Sequence, residues 1–353
     1  MMPWIDAAVH PAMASPDDIR NYLEEPWRRR AILPAERYEY PVPGGEFLAT
    51  AKPHAGAAGS DPELLARDVG LSDRLRTAVL IPYARGLSPD LNLSAAICSA
   101  LNDWLAANWL GQQNVKGRYL GSIRVDPRDP VAAVAEIERW AGDRRMGQVV
   151  VPLESHHPYG QRQFDPIWIA AAAHRLPVAI MAEGGGGIEL QPTMAGYVSH
   201  FAEYGVLGPL ASFHHLISFI VEGVLERVPE LRLVFVDGGS DVLMPILWRL
   251  DKDWRGIRFE TPWVRKFPTE YVFDRCFFCI NRMEGPTTED GLADWYDMSE
   301  VARLCLYASR YPRWDHCPAH TASAALPVTV KDRVMNTNAR RLYQLGDEAS
   351  DGS

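Results

Sequence analysis

Eight short apolar runs, separated by stretches patterned as amphipathic helices, are the feature that most limits what this chain can fold into. The runs are Trp4–Val9, Ala78–Pro82, Tyr119–Ile123, Gln148–Pro152, Pro177–Met181, Leu231–Val236, Cys276–Ile280 and Leu304–Ala308. They are near-continuously apolar rather than alternating, as parallel strands are when helices cover both faces of their sheet. Between them, Asp129 and Pro130 precede a helical pattern over Val131–Ala141, and Asp165 and Pro166 precede another over Ile167–His174. Ser212 is placed to cap an amphipathic helix over Phe213–Arg227, ending before Pro229. Strand and helix alternating eight times predict right-handed βαβ units closing into an α/β (β/α)8 TIM barrel, with an open doubly wound sheet as the other topology.

A barrel needs about 250 residues, and this chain has 353. The surplus is assigned to insertions over Pro11–Arg76, after strand one, and Pro245–Asp274, after strand six. The second is rich in Trp, Arg and Asp, including Trp248, Arg249, Asp251, Trp254 and Trp263. It reads either as a subunit-contact or site-covering segment, or as an ordinary amphipathic helix with its loop. One barrel over residues 1–345 with a flexible tail over 346–353 is the expected organisation.

Apolar residues make up 47% of the chain and charged residues 23%, enough to bury a large core. A formal net charge of −9 argues against a binder of duplex nucleic acid. No run approaches the ~18 apolar residues of a membrane span, and no secretory signal pattern is expected at Met1–His10. The five cysteines, Cys98, Cys276, Cys279, Cys305 and Cys317, form no disulfide framework and suit a reducing cytoplasm. Cys276 and Cys279 are three apart on one strand, so their thiols should point to opposite faces and share no metal.

In a barrel the chemistry sits at the C-terminal ends of the strands. Those ends carry His10; Glu154, His156 and His157; Met181 and Glu183, followed by Gly184–Gly187; Asp237; and Arg310, Arg313 and Asp315. The glycine run lacks the Walker Lys-Ser/Thr and the dinucleotide context, so it reads as a flexible loop. The run His316-Cys317 through His320 has the spacing of a zinc loop, though such runs usually serve other ends.

With these strand ends in view, the chain resembles the amidohydrolase superfamily, and within it the branch related to aminocarboxymuconate-semialdehyde decarboxylase. The segments that carry the resemblance are Ile5–Pro11 with Ser15–Trp27, Gly223–Pro229, Val234–Asp253, Ser309–Asp315, Asn338-Ala339 and Leu342-Tyr343. The resemblance implies a divalent Zn, Mn or Fe held by an acid/His-x-His pair after strand one, His after strand five, His or acid after strand six, and Asp after strand eight. In this chain those positions hold Ala8 and His10, then Met181, Asp237 and Arg310. A guanidinium stays charged at any accessible pH and would repel a divalent ion. The expectation is therefore a dismantled site in which His10 and Asp237 are remnant ligands and Arg310 pairs with Asp237 in a bidentate bridge. A displaced mononuclear site would draw on Glu154, His156, His157, Glu183 and His215, with at most one of His214 and His215 facing it.

Three functions follow. The first is a largely non-catalytic subunit supporting a ligand-complete paralogue in a hetero-oligomer, in the manner of the two-subunit 2-aminoisobutyrate hydroxylase, with the non-haem metal in the partner. The second is an active metal-dependent hydrolase or non-oxidative decarboxylase of a small carboxylic acid, using that displaced mononuclear site. There Arg310 or Arg313 would clamp the carboxylate, and Glu154, Asp237 or His10 would act as acid or base. The third is a metal-free binding protein for a small carboxylic or amino acid. A missing partner would leave an apolar patch, assigned to Pro245–Asp274.

Overall fold

The computed structural model describes residues 3–30, 47–54, 56–71, 74–82, 88–114, 117–182, 196, 198–281 and 285–346. Its centre is an eight-stranded parallel sheet in sequential order: β1 Trp4–Val9, β2 Leu75–Leu80, β3 Tyr119–Arg124, β4 Met146–Pro152, β5 Val178–Met181, β6 Leu233–Phe235, β7 Cys276–Ile280 and β8 Cys305–Tyr307. The outer layer runs α1 Pro62–Asp68, α2 Leu91–Trp104, α3 Pro130–Trp140, α4 Asp165–Ala173, α5 Phe201–Val221, α6 Val224–Arg227, α7 Ser240–Ile257, α8 Pro268–Arg275 and α9 Glu289–Ser299, with α10 Ala319–Ala325, α11 Val328–Asp332 and α12 Asn338–Leu342 after β8. The seam between β8 and β1 is stitched by Arg310 N–H to Ala8 O at 3.0 Å and His10 N–H to Tyr311 O at 2.8 Å. Asp6 Oδ1 adds to it, accepting the N–H groups of Ser309 at 2.9 Å and Ala8 at 3.2 Å. The predicted (β/α)8 barrel is what the chain forms.

Inside the barrel, Ala8, Ile81, Val150, Met181, Val236, Cys279 and Ala308 pack with one another. Ala339, Leu342 and Tyr343 close the floor beneath them. Tyr343 Oη donates to Gln148 Oε1 at 3.0 Å, and Gln148 Nε2 donates to Ser122 Oγ at 2.9 Å. The polar atoms of this floor are thereby satisfied in a buried setting, where an unpaired one would cost ~1–3 kcal/mol. Cys276 lies in the outer core and Cys279 inside the barrel, on opposite faces as expected, and burial pushes the Cys276 thiol up to about 12.

Three expectations shift. The second strand begins at Leu75 rather than Ala78, so Arg76 and Thr77 belong to it. The helix expected over Phe213–Arg227 begins at Phe201, and Ser212 is buried within it rather than capping it. Its start is a reciprocal pair in which Glu203 Oε2 accepts the His200 N–H at 2.9 Å. It breaks at Gly223, whose φ of 74° sets the left-handed turn into α6 and whose missing Cβ leaves room for the Trp263 ring. This 21-residue helix is long and apolar enough to cross a membrane, contrary to the expectation that no segment is. Its second half instead packs Phe213, Leu216, Phe219 and Ile220 into the barrel's outer core, each burial contributing ~1.5–3 kcal/mol.

The segment expected as an insertion over Pro245–Asp274 is α7 and α8, the sixth crossover prolonged by a second short helix. The expected tail lies outside the described residues beyond Gly346.

Candidate functional site

The exits of β5, β6, β7 and β8 bring charged groups together over the apolar barrel interior. Arg310 follows β8 with a φ of 58°, a left-handed backbone that a non-glycine residue rarely adopts. Its Nη2 donates to Asp237 Oδ1 at 2.9 Å. Asp237 Oδ2 accepts the N–H of Ala182, just past β5, at 2.5 Å. On its other side Arg310 Nη1 lies 3.7 Å from Asp315 Oδ2, and Arg313 Nε lies 3.4 Å from Asp315 Oδ1. Asn281, one residue past β7, holds Asp315 through its Nδ2, 3.0 Å from the backbone oxygen and 3.3 Å from Oδ2. The result is an alternating chain, Asp237, Arg310, Asp315 and Arg313, with each side chain mostly shielded from solvent. The expected bridge between Arg310 and Asp237 is present but single rather than bidentate, because Ala182 takes the second carboxylate oxygen. Arg310 Nε is buried with no acceptor among the described residues.

His10 is buried beside this chain, its Nδ1 3.0 Å from Ile81 O. A carbonyl can only accept, so Nδ1 carries the proton and Nε2 is the basic nitrogen. Burial and the charges of Arg310 and Arg313 push its pKa down to about 3, so the ring is neutral at pH 7. Arg124 ends β3 as a fully buried residue, donating from Nη2 to Pro82 O at 3.0 Å. Asn102 clamps its backbone, accepting the Arg124 N–H at 2.8 Å and donating to Arg124 O at 2.9 Å.

The displaced candidates do not converge. His215 is spent on structure: Nε2 donates to Leu153 O at 2.8 Å and Nδ1 accepts the Tyr159 N–H at 3.2 Å. Its ring stacks on Tyr159 at 4.2 Å, and burial pushes its pKa down to about 4. It braces the loop leaving β4 and has no lone pair left for a metal. Glu154 is half-buried beyond β4, while His156, His157 and His214 are exposed. Glu183 and Gly184–Gly187 lie outside the described residues. In the loop after β8, His316 Nδ1 is 3.1 Å from Ser309 O, and the Cys317 carbonyl accepts from Tyr307 Oη at 2.8 Å. That loop is held by backbone contacts rather than arranged as a zinc site.

These residues do not fit the divalent ion that the resemblance implies. Ala8 offers no donor, and Met181 is packed in the apolar interior. Both oxygens of Asp237 are engaged, and a guanidinium stands where an aspartate is needed. Among the described residues no group of three or more His, Cys, Asp or Glu side chains is placed to hold a metal.

Arg124 and Asn281 were not singled out from the sequence, although a signal exists. Each continues the inward-facing alternation of its strand, through Leu120 and Ser122 in one case and Phe277 and Cys279 in the other.

Solved structures share this architecture. The 2,6-dihydroxybenzoate decarboxylase from Rhizobium is 16% identical, with 98% of this chain and 99% of that one covered and a TM-score of 0.66. An amidohydrolase from Mycobacterium avium subsp. paratuberculosis K-10 is 19% identical over 97% and 99% of the two chains, with a TM-score of 0.67. The 5-carboxyvanillate decarboxylase from Novosphingobium aromaticivorans DSM 12444, complexed with manganese and 4-hydroxy-3-methoxy-5-nitrobenzoic acid, is 18% identical over 97% and 96%, with a TM-score of 0.66. At these identities the likeness is one of fold. No curated protein matches the sequence. A family model described as amidohydrolase matches residues 77–345, and the chain belongs to that family.

Proposed function

We propose that this chain takes a small carboxylic acid at the C-terminal mouth of its barrel, on guanidinium groups rather than on a metal of its own. Its role is then to support a ligand-complete paralogous subunit, of the non-haem Mn/Fe hydroxylase type, in a cytoplasmic hetero-oligomer. The observation that carries this reading is Arg310 on Asp237 at 2.9 Å, with a further N–H of the same guanidinium buried and lacking an acceptor among the described residues. A carboxylate supplies the planar acceptor pair that a guanidinium fork fits. The described residues hold such a ligand better than they react with it. His10 is neutral and a weak base, while Asp237 and Asp315 are already engaged with arginines.

The partner role draws support from the surface. Five of the twelve large apolar side chains exposed among the described residues fall within 245–274: Trp248, Ile257, Phe259, Trp263 and Phe267. Phe259 is 81% exposed. Solvent-facing aromatics in one segment are what an uncovered subunit contact looks like.

The comparisons favour a second reading, a non-oxidative decarboxylase acting alone, since decarboxylases of aromatic acids are among the solved structures that share the fold.

One experiment separates the two. The purified chain is titrated calorimetrically with benzoate and 2,6-dihydroxybenzoate at pH 7, and carbon dioxide release is followed in parallel. The first reading expects binding without turnover, weakened roughly tenfold by Arg310→Lys, which keeps the charge but loses the fork. Turnover by the chain alone would put the decarboxylase first. No binding of either acid would remove the carboxylate site from both readings.

A further inference from the structure

At the opposite end of the barrel from the mouth lies a cavity of about 270 Å³. Arg175 precedes β5, Arg232 precedes β6 and Arg341 lies on α12, and the three surround it. Phe277 and Leu342 supply an apolar wall, and Glu230 and Gln344 complete the lining. Among the described residues no carboxylate lies within ion-pair distance of Arg175, Arg232 or Arg341, whereas Arg128, Arg139 and Arg145 elsewhere each hold one at 2.6 Å. Among the described residues the Arg232 side chain donates to the backbone carbonyls of Pro229 at 3.4 Å and Leu231 at 3.3 Å. Burial, with Arg275 and Arg341 nearby, pulls its guanidinium below the ordinary value, against Glu230 and Asp274.

Arg175 at φ 56° and Gln344 at φ 52° reach this cavity as the left-handed caps that end α4 and α12, with Leu176 N–H returning to Ala171 O at 2.9 Å and Leu345 N–H to Arg340 O at 3.1 Å. Three arginines against one glutamate leave two uncompensated positive charges, which matches a dianion. A phosphate ester carries nearly that charge at pH 7, and guanidiniums bind its oxygens in the geometry they use for carboxylates.

We propose that this cavity binds a small phosphomonoester, with its phosphate on Arg175, Arg232 and Arg341 and its organic part against Phe277 and Leu342. Binding would relieve the repulsion among these arginines. It would also fasten the floor segment, whose Tyr343 is tied to Gln148 inside the barrel.

The test titrates the full chain with phenyl phosphate, inorganic phosphate and chloride at matched ionic strength, by calorimetry and thermal unfolding. Phenyl phosphate is expected to bind more tightly than inorganic phosphate and to raise Tm, while chloride does neither. Arg232→Gln and the solvent-exposed Arg341→Gln should each weaken binding roughly tenfold, and Arg313→Gln at the mouth should leave it unchanged. Phosphates that act no differently from chloride would overturn the site. Unaltered binding in Arg341→Gln would do the same, and an equal loss in Arg313→Gln would place the ligand at the mouth. Equal affinity for the two phosphates would overturn the assignment of an organic part.

Discussion

Arg310→Ala is expected to lower the unfolding free energy by about 3 kcal/mol, the cost of breaking a largely buried pair from one side. The variant leaves Asp237 and Asp315, each about a tenth exposed, without the cation that both approach. At an effective dielectric of 20, two unit charges some 4 Å apart interact by about 4 kcal/mol, so the lost attraction is of the right size. The double variant Asp237→Asn with Arg310→Met removes both charges and should recover most of the loss, because replacing a buried pair by neutral groups of similar volume is close to neutral. Urea unfolding with an unchanged m-value measures both. If the single and double variants lose the same amount, the arginine contributes through packing and the charge argument is wrong.

Asp6→Asn is expected to gain on the native protein by a margin that grows from about 1 kcal/mol at pH 4.5 to about 4 kcal/mol at pH 8. Burial at the β1–β8 seam raises the Asp6 carboxyl from 3.8 to about 7, against the N–H groups of Ala8 and Ser309 and the Ser309 side chain. A raised pKa means that the native state holds a proton which the unfolded state has released. The favourable contribution is therefore complete below 3.8 and is lost as pH rises through 7. The buried histidines act in the opposite sense. His10 and His215 are lowered to about 3 and about 4, so their contribution is present above 6.5 and is lost as pH falls. The variant leaves both histidines in place, so its difference from the native protein isolates Asp6. Asparagine Oδ1 can accept the same two N–H groups, so the seam is kept. A difference that is constant across pH would show that Asp6 is ionised throughout.

The barrel was legible because each strand is buried on both faces and therefore reads as an apolar run. Where a strand carries polar residues the run falls short, as at Arg76 and Thr77 at the start of β2. The start of α5 was hidden by Gly205, Gly208 and Pro209, which look like breakers, while its cap is a histidine paired with a glutamate rather than a serine. At the mouth, His10, Asp237 and Arg310 could be found because strand ends place them, whatever the loops do. His215 could not be judged in that way. The groups that occupy its ring nitrogens belong to Leu153 and Tyr159, more than fifty residues away, and a residue type says nothing of such partners.

The central claim, a proposal, is that a guanidinium–carboxylate pair stands where the family resemblance implies a metal. Elemental analysis of the chain purified alone, after growth with Mn, Fe and Zn, tests it most directly. The account predicts less than roughly a tenth of an equivalent of any transition metal, unchanged by His10→Ala, since a protein site binds only with a full set of deprotonated ligands. About one equivalent, lost in His10→Ala, would contradict it and show that the chain completes a metal site of its own around that histidine.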